Sequence, residues 1–295
     1  MFFLNIQDKD MIISVCGAGT MGRGIALLGL LSGNNARIYD VSETALQNAD
    51  AYIKTQITKL CEKGKLSQEE AYRYSQNLLC TNDISMLVKD ANFIIEAIIE
   101  FPEPKHELFV SIENAGLSET TILATNTSSL SVNVLSKNRK YPHRFVGLHF
   151  FNPAQIMKLV EIVQASSTSE KTVEECVALC TLLGKSPVIA KDVPGFIVNR
   201  VARNFYNESM RIATEQMATP KQIDSIMKSA GFRMGPFELM DLIGNDINLD
   251  VTKSVASQYF YEPRFTPSLM QQTVVNAGNY GRKTGSGFYD YNDTL

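Results

Sequence analysis

The chain has 295 residues, 44% of them hydrophobic and 20% charged, with a formal net charge of −3. That length predicts two domains or one large one, and that balance supplies a packed core, which excludes intrinsic disorder, collagen and a disulfide scaffold. The mildly acidic charge gives no sign of a general polyanion binder, so no nucleic-acid partner is expected.

Five cysteines, an odd number in a long chain, argue against a secreted disulfide framework. Cys176 and Cys180 are four apart and read as one helix face packed in a core. With three histidines and no CxxC or HExxH spacing, no metal site is expected. The N-terminus, MFFLNIQDKD, breaks its apolar start with Asp8, Lys9 and Asp10 and has no basic region before it. It reads as carrying no signal peptide. No run reaches the roughly 20 apolar residues needed to span a bilayer, so a soluble cytoplasmic setting is expected.

In chain order, Ile12–Cys16 is a short apolar strand that runs directly into Gly17-Ala18-Gly19-Thr20-Met21-Gly22. A buried helix follows, stopped by Ser32-Gly33-Asn34-Asn35. Ala36–Tyr39 is the next strand and ends in Asp40, completing a βαβ unit. From Ser42 to about Leu79 the pattern is helical, with a break near Gly64 and a restart at Ser67-Gln68-Glu69-Glu70. This predicts a two-helix excursion over about 42–80. Phe93–Ile98, Thr121–Thr125 and Phe145–His149 read as buried strands, separated by a helix from Lys105 to about Ala115. Lys158–Val163 and Pro187–Ala190 add strands around a helix from about Ser169 to Leu183. Alternating strands and helices predict a parallel, doubly wound α/β sheet of Rossmann type over residues 1–192.

Past Asp192 the pattern changes. Val193-Pro194-Gly195 reads as a hinge, and Ile197, Val201 and Phe205 then repeat at helical spacing. Thr219-Pro220 is an N-cap followed by proline at the first helical position. Residues 193–295 are predicted as an all-helical C-terminal domain.

The glycine fingerprint is weak evidence alone, but its context is specific. Gly17 permits the tight turn, Gly19 admits a pyrophosphate onto the helix N-terminus, and Gly22 lets helix and strand pack closely. Asp40, 18 residues past Gly22, suits ribose hydroxyls and repels a 2′-phosphate, which favours NAD over NADP. Arg23 has two readings, a solvated side chain or a contact to phosphate or substrate.

Gly147-Leu148-His149-Phe150-Phe151-Asn152-Pro153 places a histidine at the carboxyl end of an apolar strand, where ligands bind in such sheets. His149 is therefore a candidate proton-transfer group. Glu161, on the next apolar strand, needs a partner if buried, and His149 is a natural one; a core histidine and a structural glutamate are the alternative. Asn126-Thr127-Ser128-Ser129 ends another strand and either faces a ligand or caps a helix. Asn199, just past the hinge, either reaches the cleft or bonds to backbone.

Together, GAGTMGxGIA, NTSSLS, GLHFFNP, MKLVEIV, PGFIVNR, MGPFELMDLIG and GRKTGSGFYDY closely resemble the short-chain L-3-hydroxyacyl-CoA dehydrogenases, above all the 3-hydroxybutyryl-CoA subgroup. The resemblance runs in family order from about Met11 to Tyr291. It implies NAD-dependent, reversible oxidation of an L-3-hydroxyacyl-CoA to the 3-ketoacyl-CoA. By motif, His149 is the general base, Glu161 its orienting carboxylate, Ser128 a hydrogen-bond partner of the substrate oxygen beside the nicotinamide, and Asn199 a holder of the acyl group. Gly17, Gly19, Thr20, Met21, Gly22, Asp40, Glu100, Lys105, Ser128, Asn152 and Lys283 are the implied NAD contacts. The helical excursion, with Lys54, Lys59, Lys63 and Lys65, is implied to receive coenzyme A phosphates, with Lys63 the best match. A solvated charged face is the competing reading.

One segment departs from the family, which often has Glu-Asn-Leu before Lys105. Here the chain reads Glu100-Phe101-Pro102-Glu103-Pro104-Lys105, a loop expected to be stiffened by its prolines. The resemblance also implies a homodimer through the C-terminal domain, with Phe237, Leu239, Met240, Leu242 and Ile243 as either dimer face or internal core. Two other functions fit the architecture: oxidation of a free hydroxy or sugar acid of the L-gulonate type, and a non-catalytic scaffold.

Overall fold

In the computed structural model, residues 11–292 are described. The N-terminal stretch read as lacking a signal peptide lies outside them. The chain forms two compact units, residues 1–193 and 194–295.

The first unit is built on eight strands: β1 (Ile12–Cys16), β2 (Asn35–Tyr39), β3 (Leu78–Thr81), β4 (Phe93–Glu96), β5 (Ile122–Thr125), β6 (Phe145–Phe150), β7 (Leu159–Gln164) and β8 (Ser186–Lys191). They lie in the order β3-β2-β1-β4-β5-β6-β7-β8. Its helices are α1 (Thr20–Leu31), α2 (Glu43–Glu62), α3 (Gln68–Gln76), α4 (Ile84–Val88), α5 (Pro102–Asn114), α6 (Val132–Ser136) and α7 (Glu170–Leu182). The central strands are apolar on both faces because helices cover both. Ile13, Val15, Ile25, Leu30, Ile38 and Ile95 are fully buried in one cluster, and Cys176 and Cys180 join the same core.

Three features differ from the sequence reading. The sheet is not wholly parallel, because β7 runs antiparallel to β6. The two are joined by residues 151–158 with no helix between, and a parallel return needs a crossover of a dozen residues or more. The helical reading to Leu79 hid β3, which is short and only half-buried, so it lacks the apolar run of a central strand. The prolines 102 and 104 are not in a loop. They occupy the first turn of α5, where the missing N–H costs nothing.

α2 and α3 fall within the stretch read as a two-helix excursion. Ser42 caps α2, and Ser67 with Glu70 closes a reciprocal capping box on α3.

The second unit contains α8 (Val198–Thr214), α9 (Pro220–Ser229), α10 (Pro236–Ile243), α11 (Asn245–Gln258) and α12 (Leu269–Asn276). Thr219 caps α9 with proline at its first position. Tyr206, Met210, Ile223, Phe237 and Met240 form its core, so two of the five suggested dimer-face residues are internal; Leu242 and Ile243 are exposed. Two buried aspartates tie down the C-terminal segment. Asp224 accepts from the backbone of Phe237 and Glu238 and from the Tyr289 hydroxyl. Asp241 accepts from the backbone of Phe288 and Tyr289 and from Asn245 and the Tyr291 hydroxyl. Burial first, then Asp241, pushes the Tyr291 phenol up to about 12, so it stays a donor. Among the described residues, no helix is long and apolar enough to cross a membrane.

Candidate active site

The fingerprint turn connects β1 to α1. Gly17 has a φ of +102°, and a Cβ there would lie 2.6 Å from the Ala97 carbonyl oxygen. At Gly22 a Cβ would meet the Gly17 carbonyl at 1.8 Å. At Gly19, by contrast, a Cβ would meet nothing within 4 Å. Gly19 is also the N-cap of α1, with no side chain on the helix's first amides. Thr20 is exposed and Met21 half-buried beside it. An open backbone at an uncapped helix N-terminus fits a pyrophosphate.

Asp40 closes the far side of this turn. Its Oδ2 accepts from the Ala18 amide at 2.8 Å and its Oδ1 from the Ser42 amide at 2.9 Å. It therefore braces the glycine turn while remaining half-exposed at the end of β2. Arg23 packs against α2. It is half-buried, with its guanidinium 4.1 Å from the Tyr52 ring centroid of α2, a cation–π contact. The Tyr52 hydroxyl in turn accepts from Gln155, in the segment after β6.

His149 and Glu161 are direct partners in the antiparallel register of β6 and β7. Directly paired residues on antiparallel strands share a face, and here Nδ1 of His149 lies 2.7 Å from Oε2 of Glu161. The histidine is 6% exposed and the glutamate 0%. A carboxylate accepts, so Nδ1 carries the proton and the ring plane is fixed. Phe151 packs on the imidazole with ring centroids 4.3 Å apart. Next door, the Asn126 side chain accepts from the Phe150 amide at 2.8 Å, which ties the loop after β5 to the end of β6.

Ser128 lies in that loop. Its amide, the Ser129 amide and the Thr127 hydroxyl all donate to Oε1 of Glu100, at 2.8, 3.1 and 2.6 Å. The other Glu100 oxygen lies 3.2 Å from the Lys105 ammonium. Lys105 is 1% exposed and is also held at 2.5 Å by Glu96. It is thus a buried link between two carboxylates. Glu96 further accepts from the Thr125 hydroxyl and the Ile98 amide. Burial pushes Glu96 above the ordinary carboxylate range, against the pull of Lys105. Burial also opposes ionisation of Glu100, but Lys105, Thr127 and the Ser128 amide outweigh it and hold its carboxyl low.

The remaining candidates are placed more simply. Asn152 is exposed after β6 and precedes a cis proline. Lys63 is the exposed C-cap of α2, and Lys54, Lys59 and Lys65 are also exposed. In the second unit, Asn199 is half-buried in the first turn of α8, and its carbonyl accepts from Arg203. Lys283 pairs with Asp246 at 2.6 Å.

Sequence reasoning missed Glu96, whereas Asn126 and Thr127 stood in the polar cluster it singled out. The rule that a carboxylate on an apolar strand needs a partner found Glu161 and applies equally to Glu96 in Phe93-Ile94-Ile95-Glu96. The fingerprint turn and the paired His149 and Glu161 both lie in the first unit. Residues 12–193 match the family described as 3-hydroxyacyl-CoA dehydrogenase, NAD binding domain, and residues 195–291 match its C-terminal domain. The chain belongs to the 3-hydroxyacyl-CoA dehydrogenase family.

It is 43% identical over 289 residues to the 3-hydroxyadipyl-CoA dehydrogenase of Escherichia coli K12, covering 98% of this chain and 60% of that protein. It superposes on a 3-hydroxybutyryl-CoA dehydrogenase crystal structure from E. coli K12 with a TM-score of 0.92 at 43% identity, covering 95% of this chain and 59% of that one. The (S)-3-hydroxybutyryl-CoA dehydrogenase of Ralstonia eutropha gives 0.90 at 34% identity, covering 95% and 98%. The chain thus spans about 60% of the first relative's length.

Proposed function

We propose that this chain oxidises an L-3-hydroxyacyl-CoA, 3-hydroxybutyryl-CoA above all, to the 3-ketoacyl-CoA, reversibly and with NAD. The carrying observation is the 2.7 Å contact between His149 and Glu161 at the carboxyl end of β6. NAD, when bound, supplies the hydride acceptor. Gly17, Gly19, Thr20, Met21 and Gly22 hold its pyrophosphate, Asp40 its ribose, and Glu100, Asn152 and Lys283 complete its surroundings, with Lys105 buried behind Glu100. Nε2 of His149 takes the proton of the substrate hydroxyl, and Glu161 stabilises the imidazolium that results. Ser128 hydrogen-bonds the substrate oxygen and Asn199 holds the acyl group. Lys63 meets the coenzyme A phosphates. The protein works as a cytoplasmic homodimer through its second unit.

The test follows NADH absorbance with purified protein and acetoacetyl-CoA, with free acetoacetate and NADPH in parallel. Loss of NADH with the thioester alone supports the reading. Turnover of free acetoacetate, or preference for NADPH, overturns it. Sedimentation of the same sample as a monomer overturns the dimer.

A further inference from the structure

We propose that Glu96 is a positioning residue for Ser128, acting through Lys105 and Glu100; the inference rests on the role given to Ser128 above. Three side chains and the Ser128 loop form one continuous strut. Glu96, at the end of β4, holds the Lys105 ammonium at 2.5 Å, and Lys105 holds Oε2 of Glu100 at 3.2 Å. Oε1 of Glu100 then gathers the amides of Ser128 and Ser129 and the Thr127 hydroxyl. Successive backbone N–H groups turned inward make an anion cradle, and here the anion is the chain's own carboxylate.

The charges explain why Glu96 is needed. An ammonium that is 1% exposed requires a buried counter-charge. Glu100 alone is a poor one, because it is 36% exposed and lies farther away. Glu96 is fully buried and its position is fixed by the Thr125 hydroxyl and the Ile98 amide. With Lys105 anchored from below, Glu100 is held in the cradle and the Ser128 backbone has one position. Lys105 thus acts on the reaction through Glu100 and the Ser128 loop.

The test uses the full chain and two readouts. Amide hydrogen exchange over residues 126–130 should quicken about tenfold or more in Glu96→Gln and in Lys105→Met, since both loosen the acceptor of the Ser128 and Ser129 amides. Unchanged exchange overturns the proposal, whatever the activity. In the kinetic arm, Glu96→Gln should lower kcat about tenfold in the wild-type background. In a Ser128→Ala background it should lower kcat no further. An equal loss in both backgrounds makes Glu96 a general structural residue and overturns the proposal. Should Glu96→Gln not fold, the double variant E96Q/K105M removes both buried charges together and carries the same comparisons. Absence of activity in the wild-type chain counts against the function proposed above, and the exchange measurement still decides this inference.

Discussion

Glu96 and Glu161 are both completely buried on strands of one sheet, and each contacts a basic side chain. The roles proposed above nevertheless give them different work. Glu96 meets a lysine ammonium, and its oxygens also take a hydroxyl and an amide. Glu161 meets a histidine, the side chain whose charge changes near neutral pH. A buried carboxylate next to an ammonium acts as a fastener. In the relay proposed above, a carboxylate beside the histidine tunes chemistry instead. Burial does not separate the two cases; the partner does.

Substitutions can break this comparison. The largest effect belongs to His149→Ala, which should lower kcat by about a thousandfold, within the usual span for a general base. NADH affinity, read by fluorescence titration, should hardly change. A near-normal kcat would remove the relay from the mechanism. Glu161→Gln should come next, with kcat down about tenfold to a hundredfold, because a neutral partner still orients the ring but does not stabilise the imidazolium. If Glu161→Gln instead lowered the melting temperature and left kcat intact, Glu161 would join Glu96 as a fastener.

The His149–Glu161 pair was legible because both residues interrupt apolar runs, and the antiparallel register then sets them opposite each other. Even so, the strand direction was not legible. Periodicity reports which face a residue occupies, and only the short connection after Phe150 dictates the reversal. Glu96 was overlooked because its partner lies nine residues on, inside α5, at a position the resemblance assigned to cofactor contact. The aspartates of the second unit left no local signature at all. Asp241 collects amides from Phe288 and Tyr289, 47 and 48 residues away. Contacts of that separation are set by packing and leave no trace in hydropathy or spacing.

Asp241 sharpens the comparison from the side of stability. It is buried and accepts from two amides, an asparagine and a tyrosine. Asp241→Ala should therefore destabilise the second unit by about 3 kcal/mol, since buried donors lose their acceptor. Urea denaturation monitored by circular dichroism reads this directly. A change under about 0.5 kcal/mol, the level of an ordinary surface substitution, would mean the C-terminal segment is held by its aromatic packing instead.

Asp40 stands between the two kinds of carboxylate and gives the smallest expected effect. It fastens the glycine turn through the amides of Ala18 and Ser42, yet remains open enough to meet a ribose. Each role predicts a different pattern. As a ribose ligand, Asp40→Ala should raise the KM for NAD about tenfold with kcat nearly unchanged, because the lost contact is made equally before and during the reaction. Asp40→Asn retains an acceptor oxygen but loses the charge. It should raise that KM less and should narrow the preference for NAD over NADP, since the repulsion of a 2′-phosphate is gone. As a fastener alone, Asp40→Ala would instead disorder the turn, lowering kcat and thermal stability together, and Asp40→Asn would leave cofactor preference untouched. Steady-state kinetics with both cofactors on the two variants therefore separates a carboxylate that holds a ligand from one that only holds the chain.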